Sequence, residues 1–166
     1  FVAHSYVDDV CRQGATAAVV EPGRAPRVEG GFGVIEVDDT RAALGRIAAA
    51  HRADFEIPVM AVGGSNGKTS TKELIAAQLR ELGGAVWSEA SFNNDIGVPL
   101  TLLKLDDTHR SLIQEIGTNH PGELRPLVEM VGPQIGVITS IGREHLEHFG
   151  DIAGVLREEG VLAELL

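Results

Sequence analysis

The sequence predicts an α/β fold in which helices cover both faces of a mostly parallel sheet, with a smaller α/β unit before it. Three observations predict this architecture. From Ile57 onward, short apolar runs alternate with segments of helical pattern. The first apolar run ends in a glycine-rich turn that opens a helix. Polar motifs follow the later apolar runs, at the strand ends where ligands collect in sheets of this kind.

The first 56 residues predict the small unit and a connecting helix. Gly14 ends the first helix, and Asp38, Asp39 and Thr40 offer N-caps for the second. We place residues 1–38 in a first domain, 39–56 in a linker helix and 57–166 in a second domain. The predicted elements are a helix over 5–13, a strand over 16–20, a proline- and glycine-rich loop over 21–33, a strand over 34–37 and a helix over 40–53.

The remaining residues predict four strands and four helices in alternation. Gly83 and Gly84 end the first of these helices, Pro121 lies in the first turn of the third, and Asp151 caps the last. Residues 142–150 are predicted to be a loop. The predicted strands cover 58–62, 85–88, 111–116 and 134–141, and the predicted helices cover 69–82, 96–103, 121–130 and 151–166.

Composition narrows the class of protein. The chain has 166 residues, 43% of them hydrophobic and only 4% aromatic, so the core must be mostly aliphatic. A net charge of −10 argues against a nucleic-acid-binding surface. Cys11 is the only cysteine, which excludes an intramolecular disulfide and suits a reducing compartment. No apolar run reaches the roughly 18 residues of a membrane helix. Because both ends look like cuts, we expect a fragment of a longer protein.

A phosphate-binding loop is predicted between the first strand of the second domain and its helix. Glycines aim backbone N–H groups at an anion, Lys68 supplies a point charge, and the Thr69 hydroxyl can bind magnesium. Val62 stands where the general pattern has a glycine, and the alternative interpretation is an ordinary strand-to-helix turn. The candidate nucleotide-binding residues are Gly64, Ser65, Asn66, Gly67, Lys68, Thr69 and Ser70.

Two further motifs follow predicted strands. Asn93 and Asn94 lie beside a glycine and a proline, which by itself is typical of a plain turn, but their position makes a substrate contact credible. Glu115 ends an otherwise apolar strand, where a carboxylate is costly unless it is paired or bound to metal. Beside a triphosphate its partner would be magnesium. The alternative is a partly exposed glutamate at a strand end.

The last motif, over 139–150, contains two histidines and two glutamates close together. Zinc is conceivable there, but the spacing fits no standard zinc site and no cysteine supports it. A solvated polar loop is the second interpretation. The third places His145 near the phosphates, as a metal ligand or as a residue that orients them.

Taken in order, these motifs resemble the Mur ligase family. The resemblance is carried by the runs 64–69, 92–99, 115–123 and 138–147, and it extends nearly from end to end. The double asparagine and the run 115–123 most resemble the branch that joins D-alanyl-D-alanine to a UDP-N-acetylmuramoyl-tripeptide. The resemblance implies that 1–38 is the end of an N-terminal UDP-substrate domain. It also implies that 57–166 is the first part of a central ATP-binding domain.

The resemblance implies a chemistry and a role for each candidate residue. ATP phosphorylates a peptide carboxylate, and the amine of D-alanyl-D-alanine attacks the acyl phosphate to form an amide of the peptidoglycan precursor. Lys68, Glu115 and His145 would be catalytic, and Asn93 and Asn94 would face the substrate. Thr69 and Glu115 would bind one Mg²⁺ and His145 a second. The resemblance also implies a cytoplasmic enzyme, which we expect to be a monomer with neither nucleic-acid partner nor membrane insertion.

Two departures from the family bear on the site. Gly63 stands where a threonine is usual. Family members usually carry a carbamylated lysine that supports the second magnesium, and Glu159 stands at that position. Our hypothesis is that Glu159, or Glu158 beside it, replaces this ligand. The other functions left open are a folylpolyglutamate synthase-type ligase, a P-loop ATPase module without ligation, and a fragment that is inactive alone.

Overall fold

The computed structural model describes residues 6–24 and 31–166, which form two compact units, Phe1–Leu44 and Gly45–Leu166. The division falls inside the predicted linker over 39–56. The domain assignment made from the sequence, with its substrate-domain and ATPase-domain labels, stays a prediction. Within the described ranges, no helix is both long and apolar enough to cross a membrane.

The first unit contains a helix and a pair of parallel strands. Helix α1 covers Val7–Arg12, strand β1 covers Ala17–Val20, and strand β2 covers Gly33–Glu36. Helix α2, Thr40–Ala53, begins in this unit. Asp39 Oδ1 accepts hydrogen bonds from the backbone N–H groups of the first turn of α2, which confirms the predicted cap. The start of the predicted first helix and residues 25–30 of the predicted loop lie outside the described residues.

The second unit is a four-stranded parallel sheet with the strand order β4-β5-β3-β6. From β3 to β6 the chain alternates strand and helix, so the predicted α/β class is confirmed. Its strands are β3 (Val59–Gly63), β4 (Ala85–Trp87), β5 (Ser111–Glu115) and β6 (Ile135–Ile138). Its helices are α3 (Lys68–Glu81), α4 (Gly97–Leu102), α5 (Leu124–Val131), α6 (Leu146–Phe149) and α7 (Ile152–Glu164).

Helices cover both faces of this sheet, as the sequence predicts. On one face, Val59 and Ala61 of β3 pack in a cluster with apolar residues of α4, α5 and α7. On the other face, Val62 of β3 and Ile113 of β5 pack against Ala76 of α3. Strands buried on both faces are nearly continuous in apolar residues. The core is built largely from valine, leucine, isoleucine and alanine, which agrees with the low aromatic content.

Three predictions about local structure are wrong. The helix predicted from 121 begins at Leu124, and Pro121 precedes it because the Glu123 carboxylate draws the backbone N–H groups of Asn119 and His120 into a turn. The strand predicted to 141 ends at Ile138, because the next residues bond to the glycine-rich loop. The loop predicted over 142–150 contains the short helix α6.

The buried carboxylate of Glu158 joins α7 to the start of α5. Its Oε2 accepts from Gly122 N at 2.8 Å, and its Oε1 accepts from Leu124 N at 2.9 Å. Glu158→Ala would leave both N–H groups without an acceptor, so we expect it to lower the free energy of unfolding by about 3 kcal/mol. Urea denaturation measures this loss.

The matched control is Glu164→Ala, on the same helix. Glu164 reaches α5 through an exposed ion pair with Arg125, which should be worth about 1 kcal/mol or less. Equal losses in the two variants would contradict the capping role of Glu158.

Candidate functional site

The glycine-rich loop between β3 and α3 turns the chain at the carboxyl edge of the sheet. Gly64 has φ +109°, and a side-chain carbon there would lie 2.6 Å from Thr139 Oγ1 and 2.8 Å from Thr139 N. Gly67, with φ +85°, is the N-cap of α3. L-residues rarely adopt such backbone angles, so both positions require glycine. The loop therefore passes directly from strand to helix, close against the residues that follow β6.

Residues 139–142 hold this loop in place. Thr139 Oγ1 donates to Asn66 O at 2.6 Å, and Ser140 O accepts from Ser65 N at 2.9 Å. Ser140 Oγ accepts from Asn66 N at 3.0 Å, and Ser65 Oγ accepts from Gly142 N at 2.9 Å. The loop is thus fixed by hydrogen bonds to a segment more than seventy residues away in the sequence.

The first turn of α3 carries N–H groups that are free to bind an anion. Those of Ser65 and Asn66 are bonded to Ser140, and that of Gly64 is bonded to Glu159. The next N–H groups lie at the positive end of the helix dipole. Among the residues that the structure describes, no acceptor is found for the N–H groups of Gly67, Lys68, Thr69 and Ser70.

Lys68 places its charge directly over the loop. It is the first residue of α3, and its Nζ donates to Gly64 O at 2.6 Å. A flexible side chain ending in an ammonium group can exchange this carbonyl for a phosphate oxygen without moving the backbone.

Thr69 and Glu115 meet at the end of the loop. Thr69 Oγ1 donates to Glu115 Oε2 at 2.8 Å, and Asn93 Nδ2 donates to Glu115 Oε1 at 2.9 Å. Glu115 is only 1% exposed, so it is a buried and paired carboxylate rather than the partly exposed glutamate of the alternative interpretation. The structure therefore brings three of the predicted site residues together through a single carboxylate.

Asn94 has a different environment from Asn93. Its Oδ1 accepts from Ile96 N at 3.2 Å and from Gly97 N at 2.9 Å, where α4 begins. This is the turn-forming role that the sequence offers as the alternative. Its side-chain NH₂ group is the part that remains for a substrate contact.

Glu159 contacts the loop from α7. Its Oε2 accepts from Gly64 N at 2.6 Å, and the residue is 1% exposed. Burial raises the pKa of Glu159, while the Gly64 N–H group and the charge of Lys68 act in the opposite direction and the charge of Glu144 adds to the rise. A side-chain carbon at position 63 would lie 3.0 Å from Glu159 Oε2, so Gly63 leaves room for this carboxylate.

His145 lies at the start of α6 with φ +42°. Its Nδ1 is 3.7 Å from Glu147 Oε1, and within the described residues its ring forms no hydrogen bond with Thr69, Glu115 or Glu159. The ring of the neighbouring His148 stacks on His120, with centroids 4.0 Å apart. The structure thus does not place His145 in contact with the Thr69–Glu115 pair.

A comparison with protein families identifies the fold. The pattern of the Mur ligase middle domain matches residues 62–166, which is more than half of the chain. The chain belongs to the Mur ligase family. The family resemblance read from the sequence motifs is therefore confirmed.

Individual Mur ligases resemble this chain along nearly its whole length. It is 38% identical to the UDP-N-acetylmuramoyl-tripeptide–D-alanyl-D-alanine ligase of Haemophilus influenzae over 96% of the chain and 35% of that protein. The ligase of the same name from Escherichia coli is also 38% identical, over 96% of the chain and 34% of that protein. The chain thus spans about a third of the length of these curated relatives.

Solved Mur ligases share the fold. A MurF structure from Acinetobacter baumannii matches with a TM-score of 0.90 and 34% identity over 100% of this chain and 36% of that one. The MurF ligase from Thermotoga maritima, solved in complex with ADP, matches with a TM-score of 0.84 and 26% identity over 96% of this chain and 36% of that one.

Sequence reasoning missed several residues that build this Mur ligase site. Thr139 and Ser140 hold the loop, and a Thr-Ser pair directly after a buried strand was the available signal. Lys72 was also missed, although it follows Thr69 by three residues and so lies on the same face of α3. Lys72 is fully buried, and its Nζ donates to Ser88 O and Ala90 O.

Proposed function

We propose that this chain is the ATP-binding part of a ligase that joins D-alanyl-D-alanine to a UDP-N-acetylmuramoyl-tripeptide. The observation that carries the proposal is the 2.8 Å contact of the Thr69 hydroxyl with the buried Glu115 carboxylate at the end of the glycine-rich loop. The free N–H groups and the lysine can offset the negative charge of a triphosphate. The hydroxyl and the carboxylate can bind the cation that accompanies it. The names of the relatives supply the choice of substrates.

The loop residues Gly64, Ser65, Asn66, Gly67, Lys68, Thr69 and Ser70 would hold the phosphates of ATP. The free N–H groups at the start of α3 would bind the phosphate oxygens, and Lys68 would turn from Gly64 O to the γ-phosphate. The Thermotoga maritima relative was solved in complex with ADP, which supports nucleotide binding by this chain.

The residues present fit magnesium. Mg²⁺ takes oxygen ligands and is usually held by one or two protein groups together with phosphate and water. Thr69 Oγ1 and Glu115 Oε2 are such a pair. Within the described residues, no group of three or more His, Cys, Asp or Glu side chains could hold a metal ion. Bound there, Mg²⁺ would offset the charge that develops on the transferred phosphate.

His145 and Glu159 remain the proposed ligands of a second Mg²⁺. Both oxygens of Glu158 cap α5, so Glu159 is the better candidate of the two glutamates. Glu159 is close enough to the loop to bond to Gly64, and its carboxylate could act without carbamylation.

The chemistry assigned to these residues is positioning and charge neutralisation. The peptide carboxylate attacks the γ-phosphorus of ATP and forms an acyl phosphate, with release of ADP. The amine of D-alanyl-D-alanine then forms the amide bond, and phosphate leaves. No nucleophilic side chain is required, and we assign Lys68, Glu115 and His145 to phosphate and metal. Asn93 and Asn94 would contact the substrate. We place this reaction in the cytoplasm and expect a monomer.

Two assays test this function. The chain alone should bind ATP, which calorimetry measures. In the whole ligase of which we propose that this chain is part, phosphate release should require both the UDP-muramoyl-tripeptide and D-alanyl-D-alanine. Phosphate release in the absence of both substrates would favour an ATPase module. Phosphate release that requires a folate and glutamate would favour a folylpolyglutamate synthase-type ligase. The 166 residues alone should not ligate, and steady turnover by them would contradict the proposal that this chain is only the ATP-binding part of the ligase.

A further inference from the structure

Lys72 is a buried cation for which the proposed chemistry has no use. It lies on α3, it is 0% exposed, and its Nζ donates to Ser88 O at 2.6 Å and to Ala90 O at 2.7 Å. The Glu73 carboxylate, on a half-exposed side chain, lies 2.8 Å from the same nitrogen. A buried ammonium is costly and is retained only where its partners satisfy it. Its two carbonyl partners belong to the segment 88–93, which follows β4.

The segment 88–93 leads directly to the Glu115 carboxylate. Ser88 Oγ accepts from Glu115 N at 3.1 Å, and Ser88 N donates to Ile113 O at 3.2 Å. At the other end of the segment, the side-chain Nδ2 of Asn93 donates to Glu115 Oε1, and the backbone carbonyl of Asn93 accepts from Gly117 N. The backbone and the side chain of Glu115 are therefore both held by the segment that Lys72 anchors.

The backbone of this segment is strained at the anchor. Ala90 has φ +44°, a left-handed conformation that is unfavourable for a residue with a side chain. Its carbonyl is one of the two acceptors of Lys72, so the ammonium group stabilises the strained conformation.

We infer that Lys72 is a positioning residue for the magnesium ligand Glu115. Thr69 and Lys72 lie three residues apart on one face of α3. Thr69 contacts the Glu115 carboxylate directly, and Lys72 holds the segment that supports Glu115 from the end of the neighbouring parallel strand β4. The helix that carries the phosphate loop thereby sets the position of the carboxylate beside it. The inference rests on the proposed ATP–magnesium function.

The test separates magnesium-dependent from magnesium-independent binding of ATP. Calorimetry on the chain with excess Mg²⁺ and with EDTA gives both affinities. In Lys72→Met, the affinity with EDTA should stay within about twofold of the wild type, because the loop 64–69 is unchanged. The increase in affinity caused by Mg²⁺ should fall about tenfold, since displacement of a supporting group typically costs a metal site 10- to 100-fold. Trp87, the only tryptophan, directly precedes Ser88, so its fluorescence should report the moved segment.

Lys104→Met is the matched control. Lys104 contacts the same segment through a surface ion pair with the Glu89 side chain. Its replacement by methionine should leave both ATP affinities and the Trp87 emission unchanged. If Lys72→Met keeps the full effect of Mg²⁺ and only lowers the urea midpoint, Lys72 is merely structural and the inference fails.

A second variant keeps the inference testable if Lys72→Met does not fold. Ser88→Ala keeps both carbonyl acceptors of Lys72 and removes only the hydroxyl that accepts the Glu115 N–H group. It should also weaken the effect of Mg²⁺, and an undiminished effect in this variant would overturn the inference. Absence of ATP binding by the wild-type chain would instead overturn the proposed function, and the role of Lys72 with it.

Discussion

Lys68→Met is expected to weaken ATP binding by the chain about a hundredfold and to lower ligation by the whole enzyme about a thousandfold. Lys68 is the only lysine in the loop, and its Nζ lies 2.6 Å from Gly64 O, above the turn where the phosphates would sit. Its charge is held next to uncharged N–H groups, and loss of such a preorganised group typically costs about 10²–10³ in rate. Calorimetry measures the affinity, and phosphate release measures the rate.

Lys104→Met is again the control, because it removes the same charge from an exposed site. The urea midpoint should be almost unchanged in both variants, since within the described residues Lys68 Nζ makes a single hydrogen bond, to Gly64 O. An ATP affinity within twofold of the wild type for Lys68→Met would show that the loop is an ordinary turn rather than a phosphate site.

Local chemistry made the loop and the sheet predictable. The backbone at Gly64 and Gly67 has a positive φ, and Gly64 also lies very close to Thr139. Only glycine tolerates these conditions, so the glycines themselves are the sequence signal for the turn. The strands are buried on both faces and therefore read as apolar runs. Caps such as Asp39 and Asp151 act within three residues and were predicted for the same reason.

Contacts between distant residues were not predictable in this way. Thr139 and Ser140 leave the strand register to bond to Asn66, so the strand ends earlier than its sequence suggests. Lys72 reads as one more helical lysine, because the carbonyl groups that bury it are contributed by the next strand end. In each case the deciding partner is absent from the local sequence.

The two positions at which the sequence analysis expects departures from the family are neighbours in the structure. Gly63 and Glu159 approach so closely that a side-chain carbon at position 63 would lie 3.0 Å from Glu159 Oε2. The absence of a side chain at Gly63 thus leaves room for the Glu159 carboxylate to reach Gly64 N. A threonine at position 63 would press against this carboxylate, so the two departures are physically coupled.

Glu115→Gln is expected to abolish most of the increase in ATP affinity caused by Mg²⁺ and to lower ligation about a hundred- to a thousandfold. The substitution keeps the size of the side chain and removes the charge that would face the metal. Glutamine would also present an NH₂ group to Thr69 or to Asn93, both of which donate to the carboxylate. Such a loss of rate corresponds to about 3–4 kcal/mol of transition-state stabilisation. Magnesium titrations of ATP binding and of phosphate release measure the two effects.

Two matched variants show whether this effect belongs to the metal ligand. Glu129→Gln makes the same charge change at an exposed ion pair and should leave the response to Mg²⁺ unchanged. Glu159→Gln keeps an acceptor for Gly64 N but removes the charge. If Glu159 serves only the loop, this variant should behave as the wild type, and if Glu159 binds a second Mg²⁺, ligation should need about tenfold more of the ion. A normal response to Mg²⁺ in Glu115→Gln would refute the assignment of the Thr69–Glu115 pair to magnesium, because no other change in that variant compensates for the lost charge.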